Sequence, residues 1–256
     1  MIINNMNYQE LNAKITDAWT ESGWEWGQPV SHQTYLRAKM GCWDVKLTPT
    51  KQVPHNWFGD LAGKKLLGLA SGGGQQIPIF SALGAHCTVL DFSQKQCENE
   101  ELVAQREGYS VEIVRADMSH PLPFPNETFD IIFHPVSNCY VEEVKPIFKE
   151  CYRVLKADGI LLCGLDNGFA YIFDETGANI KYKLPFNPLK DPLVYADSIK
   201  FDWGIAFSHT LEEQIGGQLE AGFILTHLYE DTSGEGILHD YNVPTFVATR
   251  SVKQTH

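Results

Sequence analysis

Three consecutive glycines, Gly72 to Gly74, follow a short apolar segment and a single serine, Ser71. Such a turn brings bare backbone amides close to a ligand, and Gly72 and Gly74 stand where a Cβ would block the ligand or where φ is positive. Asp91 follows 17 residues after Gly74, near the spacing at which a carboxylate accepts hydrogen bonds from both hydroxyls of a ribose. The pattern predicts a nucleotide-binding turn. For the glycines, the alternative is a tight turn that binds no ligand. For Asp91, the alternative is an aspartate that caps the following helix.

A second acidic residue, Asp117, follows the third apolar segment in the sequence Ala116-Asp117-Met118. Its carboxylate can accept a hydrogen bond from the exocyclic amine of an adenine, with Phe92 and Met118 on either side of the ring. A solvated turn residue is the alternative. Because open α/β sheets bind ligands at the carboxyl ends of their strands, we expect the glycine turn and both aspartates to face one crevice.

One histidine, His134, ends the fourth apolar segment and precedes Pro135. An imidazole titrates near neutral pH, so His134 is the candidate catalytic base if the reaction requires a proton to be removed. A structural histidine bonded to the backbone and a ligand contact are the alternatives. No His and carboxylate pair shows the spacing of metal ligands, and no metal site is predicted.

The elements that must position these residues alternate between strand and helix from residue 64 onward. Apolar runs predict strands at 64–70, 86–91, 110–115, 128–134 and 160–165, and periodicity and capping predict helices at 76–83, 93–107 and 141–155. Strands that alternate with helices in this way are typical of a doubly wound, mostly parallel α/β sheet with right-handed crossovers. The same patterns predict a final helix at 210–221 and strands at 223–229 and 245–251.

These segments together resemble the class I, seven-β-strand, S-adenosylmethionine-dependent methyltransferases of the type 11 kind. The resemblance spans about residues 60–166 and is carried, in order, by residues 67–74, 89–93, 116–118, 122–133 and 152–162. It implies a Rossmann-like sheet of seven strands with the last one antiparallel, S-adenosylmethionine as cofactor and S-adenosylhomocysteine as product. It also implies the cofactor-binding residues, which are Ala70, Ser71, Gly72, Gly74, Asp91, Phe92, Ala116, Asp117, Met118 and His134.

Two features depart from the pattern of the family. Gly68 stands where the family has an acid in the first strand, and Ala70 stands where it has the first glycine. The contact of that acid to the methionine amino group must then come from backbone carbonyls near Ala70 or from a polar group of the 43–57 loop. The fourth strand ends in His-Pro-Val-Ser-Asn, which differs from the motif of enzymes that methylate amino groups of DNA and protein.

Residues 1–60 are expected to form a helical, aromatic N-terminal extension with amphipathic helices at 7–22 and 31–40. Four tryptophans, at positions 24, 26, 43 and 57, fall close together in this extension. We expect this extension to act as a lid that contacts the substrate through Trp26, Trp43 and Trp57. Packing of these indoles against the main domain is the alternative.

The remaining chain, 61–256, is expected to be the cofactor-binding domain. Its segment 166–206, after the fifth strand, is too long for an ordinary loop in a compact domain. This segment is predicted to be an inserted cap or a substrate loop.

Composition narrows the range of partners. The net charge is −12 over 256 residues and no Lys or Arg cluster is present, so nucleic acid is not an expected substrate. Six scattered cysteines indicate reduced thiols, the first residues lack the pattern of a signal peptide, and no apolar stretch is long enough to cross a membrane. These features predict a cytoplasmic protein without a membrane partner, and leave monomer and homodimer open.

The favoured hypothesis is an S-adenosylmethionine-dependent methyltransferase that acts on a small-molecule acceptor by in-line methyl transfer. A protein that binds S-adenosylmethionine or S-adenosylhomocysteine without catalysis is one alternative. An NAD-linked oxidoreductase is the other, and it is disfavoured because Ile77 stands where the dinucleotide fingerprint has its third glycine.

Overall fold

A single seven-stranded sheet, with strand order β3-β2-β1-β4-β5-β7-β6, forms the centre of the computed structural model, which describes residues 7–254. The expectation about a signal peptide rests on residues outside this range. The strands are β1 (Lys65–Leu69), β2 (His86–Asp91), β3 (Val111–Arg115), β4 (Phe129–His134), β5 (Leu155–Asp166), β6 (Phe223–Asp231) and β7 (Phe246–Lys253). Every neighbouring pair is parallel except those of β7, which runs antiparallel to β5 and β6. The doubly wound sheet with an antiparallel last strand is therefore confirmed.

The helices begin where the sequence provides caps. Ser31 and Ser93 each accept a hydrogen bond from the backbone amide three residues later, which fixes the starts of two of them. The helices are α1 (Tyr8–Glu21), α2 (His32–Lys39), α3 (Ile77–Ala82), α4 (Gln94–Glu107), α5 (Lys145–Val154), α6 (Pro192–Lys200), α7 (Gly217–Glu220) and α8 (Gly236–Asp240). Short 3₁₀ turns lie at Glu25–Gly27, His55–Trp57, Asn138–Tyr140 and Phe169–Ile172, and a π-helical turn lies at Glu212–Gly216.

The sheet separates two apolar layers. Successive side chains of a strand point to opposite faces, so Leu67 of β1 packs with Phe148 of α5, whereas Leu66 packs on the other face with Phe58 and Phe80. Burial of one such side chain contributes roughly 1.5–3 kcal/mol. The two layers therefore hold the ends of the central strands in fixed positions.

Two predicted boundaries differ from the structure. Residues 156–159, between the predicted helix 141–155 and the predicted strand 160–165, lie inside β5, where the pairing with β4 is irregular and Asp158 has a φ of 60°. The helix expected at 141–155 begins only at Lys145, because the chain after β4 first forms the 3₁₀ turn Asn138–Tyr140. Pro146 then occupies the first turn of α5, where its missing N–H has no cost.

Helix α1 and the segment 166–206 contact each other. The side-chain amide of Asn12 donates to the Ile205 carbonyl and accepts from the Ile205 amide, at 2.9 and 2.8 Å. Trp19 Nε1 also donates to Asp202. The segment 166–206 has a small core of its own, formed by Tyr182, Phe186 and Val194 with Tyr171 and Trp203. Within residues 7–254, no helix combines the length and the apolar character needed to cross a bilayer.

Candidate active site

A cavity of about 470 Å³ lies at the carboxyl ends of the strands. We call it the strand-end cavity. It is lined by residues that directly follow successive strands, namely Ala70–Gly72 after β1, Asp91–Phe92 at β2, Ala116–Met118 after β3, Pro135–Ser137 after β4 and Asp166 at β5. Helix α1, the loop at 46–49 and the start of β7 provide further walls. The predicted crevice at this edge of the sheet is thus present.

The glycine turn is bonded to the acid of the second strand. The Gly72 amide donates to Asp91 Oδ2 and the Ser93 amide donates to Asp91 Oδ1, both at 3.0 Å. A Cβ on Gly72 would lie 2.9 Å from Gln96 Cβ and 3.0 Å from Asp91 Oδ2, so the close approach requires glycine. Burial raises the pKa of Asp91, against the effect of the amide hydrogen bonds. A carboxylate accepts about four hydrogen bonds, and the backbone amides of Gly72, Phe92 and Ser93 use up to three of these sites, which leaves acceptor capacity for a ligand.

Ala70 occupies a glycine position of this turn. Its φ is 48°, in the left-handed region, and its amide donates to the Leu90 carbonyl at 2.7 Å. An alanine at positive φ is strained, and the hydrogen bond to the end of β2 holds the conformation.

Gly74 has a different role from the one predicted. It does not line the strand-end cavity; its amide donates to Glu100 Oε2 at 3.0 Å. A Cβ on Gly74 would lie 2.6 Å from Val103 Cγ2 and 2.9 Å from the Asn99 carbonyl. Gly74 is therefore needed for the packing of the turn against α4, and the expectation that it contacts the cofactor is corrected.

A side chain at position 68 in the first strand would require Ile77 to move. A Cβ on Gly68 would lie 2.5 Å from Ile77 Cδ1 and 3.3 Å from Ser71 Cβ. The Ser71 side chain, beside this position, lines the cavity, and its buried Oγ has no hydrogen-bond partner among the described residues. The same holds for Gln96 Oε1 on α4. Buried polar atoms without partners mark places where a ligand can bind.

The residues predicted to surround a base also line the cavity. Asp117 Oδ1 accepts from the Ser119 amide at 2.8 Å, and Asp117 Oδ2 lies 3.1 Å from His120 Nδ1. Met118 is buried in the core beneath the cavity, and Phe92 is half-buried with the Arg115 guanidinium 6.0 Å from its ring. These side chains and Ala116 share the cavity with Asp91.

His134 does not line the strand-end cavity. It is fully buried, with Nδ1 2.9 Å from the Leu69 carbonyl and Nε2 2.7 Å from Asn138 Oδ1. Both ring nitrogens are thus used within the protein, and His134 is not part of the cavity wall. Burial lowers the pKa of this imidazole. The predictions of a general base and of a cofactor contact at His134 are corrected, since its side chain ties β4 to β1 and to the following turn.

The tryptophans separate into two groups. Trp26 and Trp24 line the strand-end cavity. Trp57 is buried against Tyr229 of β6, and Trp43 stacks on His55 with ring centroids 3.9 Å apart. Neither Trp43 nor Trp57 reaches the cavity, so the expectation that these two contact a substrate is corrected in favour of packing.

Several residues of the cavity wall were not predicted individually, although the N-terminal extension, the 43–57 loop and the segment 166–206 were expected near the site. They are Gln9, Asn12, Ala13 and Thr16 of α1, residues 46–49, Cys139 to Val141, Gln96, Asp166, Tyr171, Thr245 and Phe246. Asp166 could have been found, because it directly follows the predicted strand 160–165. The others come from elements that reach the cavity only through tertiary packing.

The wall is acidic. Asp91, Asp117 and Asp166 line the cavity, and Lys46 is the sole cation among the described residues around it. The Lys46 ammonium donates to the Pro49 carbonyl at 3.0 Å. The cavity thus favours a ligand with positive charge. No group of three or more metal-binding side chains occurs within residues 7–254.

The chain is similar to known proteins in sequence and in fold. A methyltransferase domain family matches residues 67–163. An uncharacterised methyltransferase of Bacillus subtilis, YbaJ, is 42% identical over 249 residues, which cover 94% of this chain and 97% of that protein. A demethylmenaquinone methyltransferase of Clavibacter sepedonicus is 35% identical over 107 residues, 40% of this chain and 42% of that protein. The crystal structure of an S-adenosylmethionine-dependent methyltransferase from Mesorhizobium loti superposes with a TM-score of 0.63 at 17% identity, over 77% of this chain and 94% of that one.

Proposed function

The chain belongs to the class I S-adenosylmethionine-dependent methyltransferases, and from this premise we propose that it methylates a small-molecule acceptor in the strand-end cavity. The observation that carries the proposal is the shared wall of the Gly72 turn, Asp91 and Asp117. An in-line displacement at the methyl carbon is the mechanism that fits such a site.

The residues present fit S-adenosylmethionine. The Gly72 turn leaves no room for a Cβ, and we assign Asp91 to the ribose hydroxyls and Asp117 to the adenine amine, with Phe92, Ala116 and Met118 around the base. Ser71, whose Oγ is unpartnered, is assigned to the methionine end in place of the missing strand acid. The acidic wall suits a ligand that carries a sulfonium and an ammonium group.

When bound, the cofactor supplies a methyl group on a positively charged sulfur, which is an activated leaving group. The task of the protein is then to orient the acceptor and exclude water. Trp24 and Trp26, helix α1 and Tyr171 of the inserted segment 166–206 surround the cavity, and we assign them this role. The N-terminal extension and the inserted segment thus act as a lid.

A small acceptor is supported by size, charge and relatives. A cavity of about 470 Å³ is in the range of small-molecule sites, and the net charge of −12 disfavours nucleic acid. The name of the Clavibacter relative indicates that it acts on a menaquinone precursor. The described cysteines are all free thiols, which supports a reducing, cytoplasmic location.

Calorimetry and a transfer assay test the proposal together. We expect S-adenosylmethionine and S-adenosylhomocysteine to bind the purified protein and NAD not to bind. Labelled methyl groups are expected to pass from S-adenosylmethionine to a compound of low molecular mass in a metabolite extract. Binding without transfer would support the non-catalytic alternative, and NAD binding would support the oxidoreductase.

A further inference from the structure

The far end of the strand-end cavity, at the tip of β5, holds two buried polar groups that the cofactor assignment does not use. Asp166 is 6% exposed, and its Oδ1 accepts from the Gly168 amide at 3.0 Å. Its Oδ2 has no hydrogen-bond partner among the described residues, and neither does the Oγ1 of Thr245, which is 3% exposed. Both residues line the cavity.

Asp166 and Thr245 lie on neighbouring segments that are joined by the backbone pairing of β5 with β7. The Asn167 amide, directly after Asp166, donates to the Thr245 carbonyl at 2.9 Å, and Asp166 pairs with Phe246 across β5 and β7. A buried donor or acceptor without a partner destabilises the folded protein. Two such atoms in the wall of one cavity indicate that a polar group of a ligand binds there.

The walls around Asp166 are aromatic and uncharged at neutral pH. Cys139 and Tyr140 come from the 3₁₀ turn after β4, Tyr171 comes from the inserted segment, and Phe246 comes from β7. Burial raises the pKa of the Cys139 thiol and of the Tyr140 and Tyr171 phenols well above neutrality. Lys46, the one cation that the described residues contribute to this wall, donates to the Pro49 carbonyl. Any proton gained or lost here in the neutral range therefore belongs to Asp166 or to the ligand.

We propose that Asp166 and Thr245 bind the nucleophilic hydroxyl of an aromatic or enolic acceptor, and that Asp166 is the catalytic base. The proposal rests on the proposed function. As the oxygen bonds to the methyl carbon, the carbon–sulfur bond breaks and its electron pair returns to sulfur, which becomes a neutral thioether. The hydroxyl proton passes to Asp166 Oδ2. Thr245 Oγ1 donates to the acceptor oxygen and orients it.

Electrostatics favour a hydroxyl over an amine. An alkylammonium acceptor would place a second positive charge beside the sulfonium and would have to lose a proton before attack. A phenol or enol is neutral on binding, and its ring matches the walls formed by Tyr140, Tyr171 and Phe246. Burial raises the pKa of Asp166 to about 7, close to the working pH, where a general base is most efficient.

Binding to the protein saturated with S-adenosylhomocysteine tests the acceptor class. The probes are 2-naphthol, its methyl ether and benzylamine, each titrated by calorimetry. We expect 2-naphthol to bind at least about tenfold more tightly than the ether, which corresponds to about 1.4 kcal/mol, and more tightly than benzylamine. Equal binding of the ether, a preference for benzylamine, or no binding of 2-naphthol would each overturn the proposal.

Variants test the two residues. Asp166→Asn and Thr245→Val are expected to abolish the preference for 2-naphthol over its ether, whereas Asp240→Asn, at an exposed position of α8, preserves it. In the transfer assay with metabolite extract, Asp166→Asn is expected to lower the rate by about 10²–10⁴-fold and to remove its rise with pH around neutrality. All three variants are expected to keep the affinity for S-adenosylhomocysteine.

The two proposals fail in different ways. If the wild-type protein does not bind S-adenosylhomocysteine or transfers no methyl group, the proposed function is wrong. If binding and transfer occur but Asp166→Asn transfers at the wild-type rate, the role of Asp166 is wrong and the methyltransferase function stands.

Discussion

The backbone amide of Gly72 donates a 3.0 Å hydrogen bond to Oδ2 of Asp91, so the glycine turn after β1 and the acid at the end of β2 are directly joined. The bond positions the carboxylate beside backbone that has no side chain. The Ser93 amide donates to the other oxygen at the same distance, and Ser93 is the residue that caps helix α4. One aspartate thus organises the turn, the strand end and the following helix.

The first prediction concerns the substitution of Asp91. Asp91→Ala is expected to weaken the binding of S-adenosylhomocysteine by about 1.5–3 kcal/mol, the range for hydrogen bonds to a charged group, because the ribose loses its acceptor. Calorimetry measures the change, and the exposed Asp240→Ala serves as the control. An unchanged affinity in Asp91→Ala would mean that the sugar binds elsewhere.

The second prediction concerns the bare backbone of the turn. Gly72→Ala places a Cβ 2.9 Å from Gln96 Cβ and 3.0 Å from Asp91 Oδ2, so it is expected to displace the carboxylate and weaken cofactor binding at least about tenfold. Gly216→Ala is the matched control, since its nearest neighbour is Glu212 Cγ at 3.8 Å and its backbone is helical. Equal affinities of the two variants in calorimetry would contradict the close approach.

The third prediction separates the tryptophans. Addition of S-adenosylhomocysteine is expected to change the intrinsic fluorescence, because Trp24 and Trp26 line the cavity. Trp26→Phe should reduce this change, and Trp43→Phe should leave it intact, since Trp43 stacks on His55 outside the cavity. A spectrum that does not respond to saturating ligand would count against the lid.

The fourth prediction is a pH dependence of stability. Glu100 is buried, accepts from the Gly74 amide and from Tyr109, and burial raises its pKa to about 7. The folded state therefore holds a proton that the unfolded state has released above about pH 4.3. The raised pKa of Glu100 therefore contributes fully to the free energy of unfolding below about pH 4.3. The contribution is lost as the pH rises through about 7.

A comparison of variants isolates this effect. Between pH 5 and 8 the free energy of unfolding of the wild type is expected to fall by up to about 3 kcal/mol more than that of Glu100→Gln, as measured by urea denaturation. Gln keeps an acceptor for one of the two donors and cannot ionise. Parallel pH profiles for the two proteins would show that Glu100 does not titrate in this range.

The sheet and the site residues that directly follow its strands can be predicted from local sequence. Apolar runs with caps such as Ser93 define strand and helix in order, and parallel strands bring their carboxyl ends to one edge. Residues directly after those strands, including Gly72, Asp91 and Asp117, consequently share a wall. The strand-end argument extends equally to Asp166 at the end of β5.

The direction of individual side chains, and contacts between segments far apart in the sequence, could not be predicted in this way. His134 also ends a strand, but its ring turns inward to the Leu69 carbonyl, because the last residue of a strand can face either side of the pleat. Trp26 and Trp57 could not be distinguished from their sequence context. The tertiary fold places Trp26 at the cavity and Trp57 against β6. Thr245 reaches the cavity through the pairing of β7 with β5, which no local pattern encodes.

A crystal structure of the protein with S-adenosylhomocysteine tests the central claim most directly. The account predicts the ribose hydroxyls within hydrogen-bond distance of the Asp91 carboxylate, the adenine amine beside Asp117, and the sulfur facing the space between Tyr140 and Asp166. Binding of the nucleoside in a different cavity, or with its sugar away from Asp91, would contradict it.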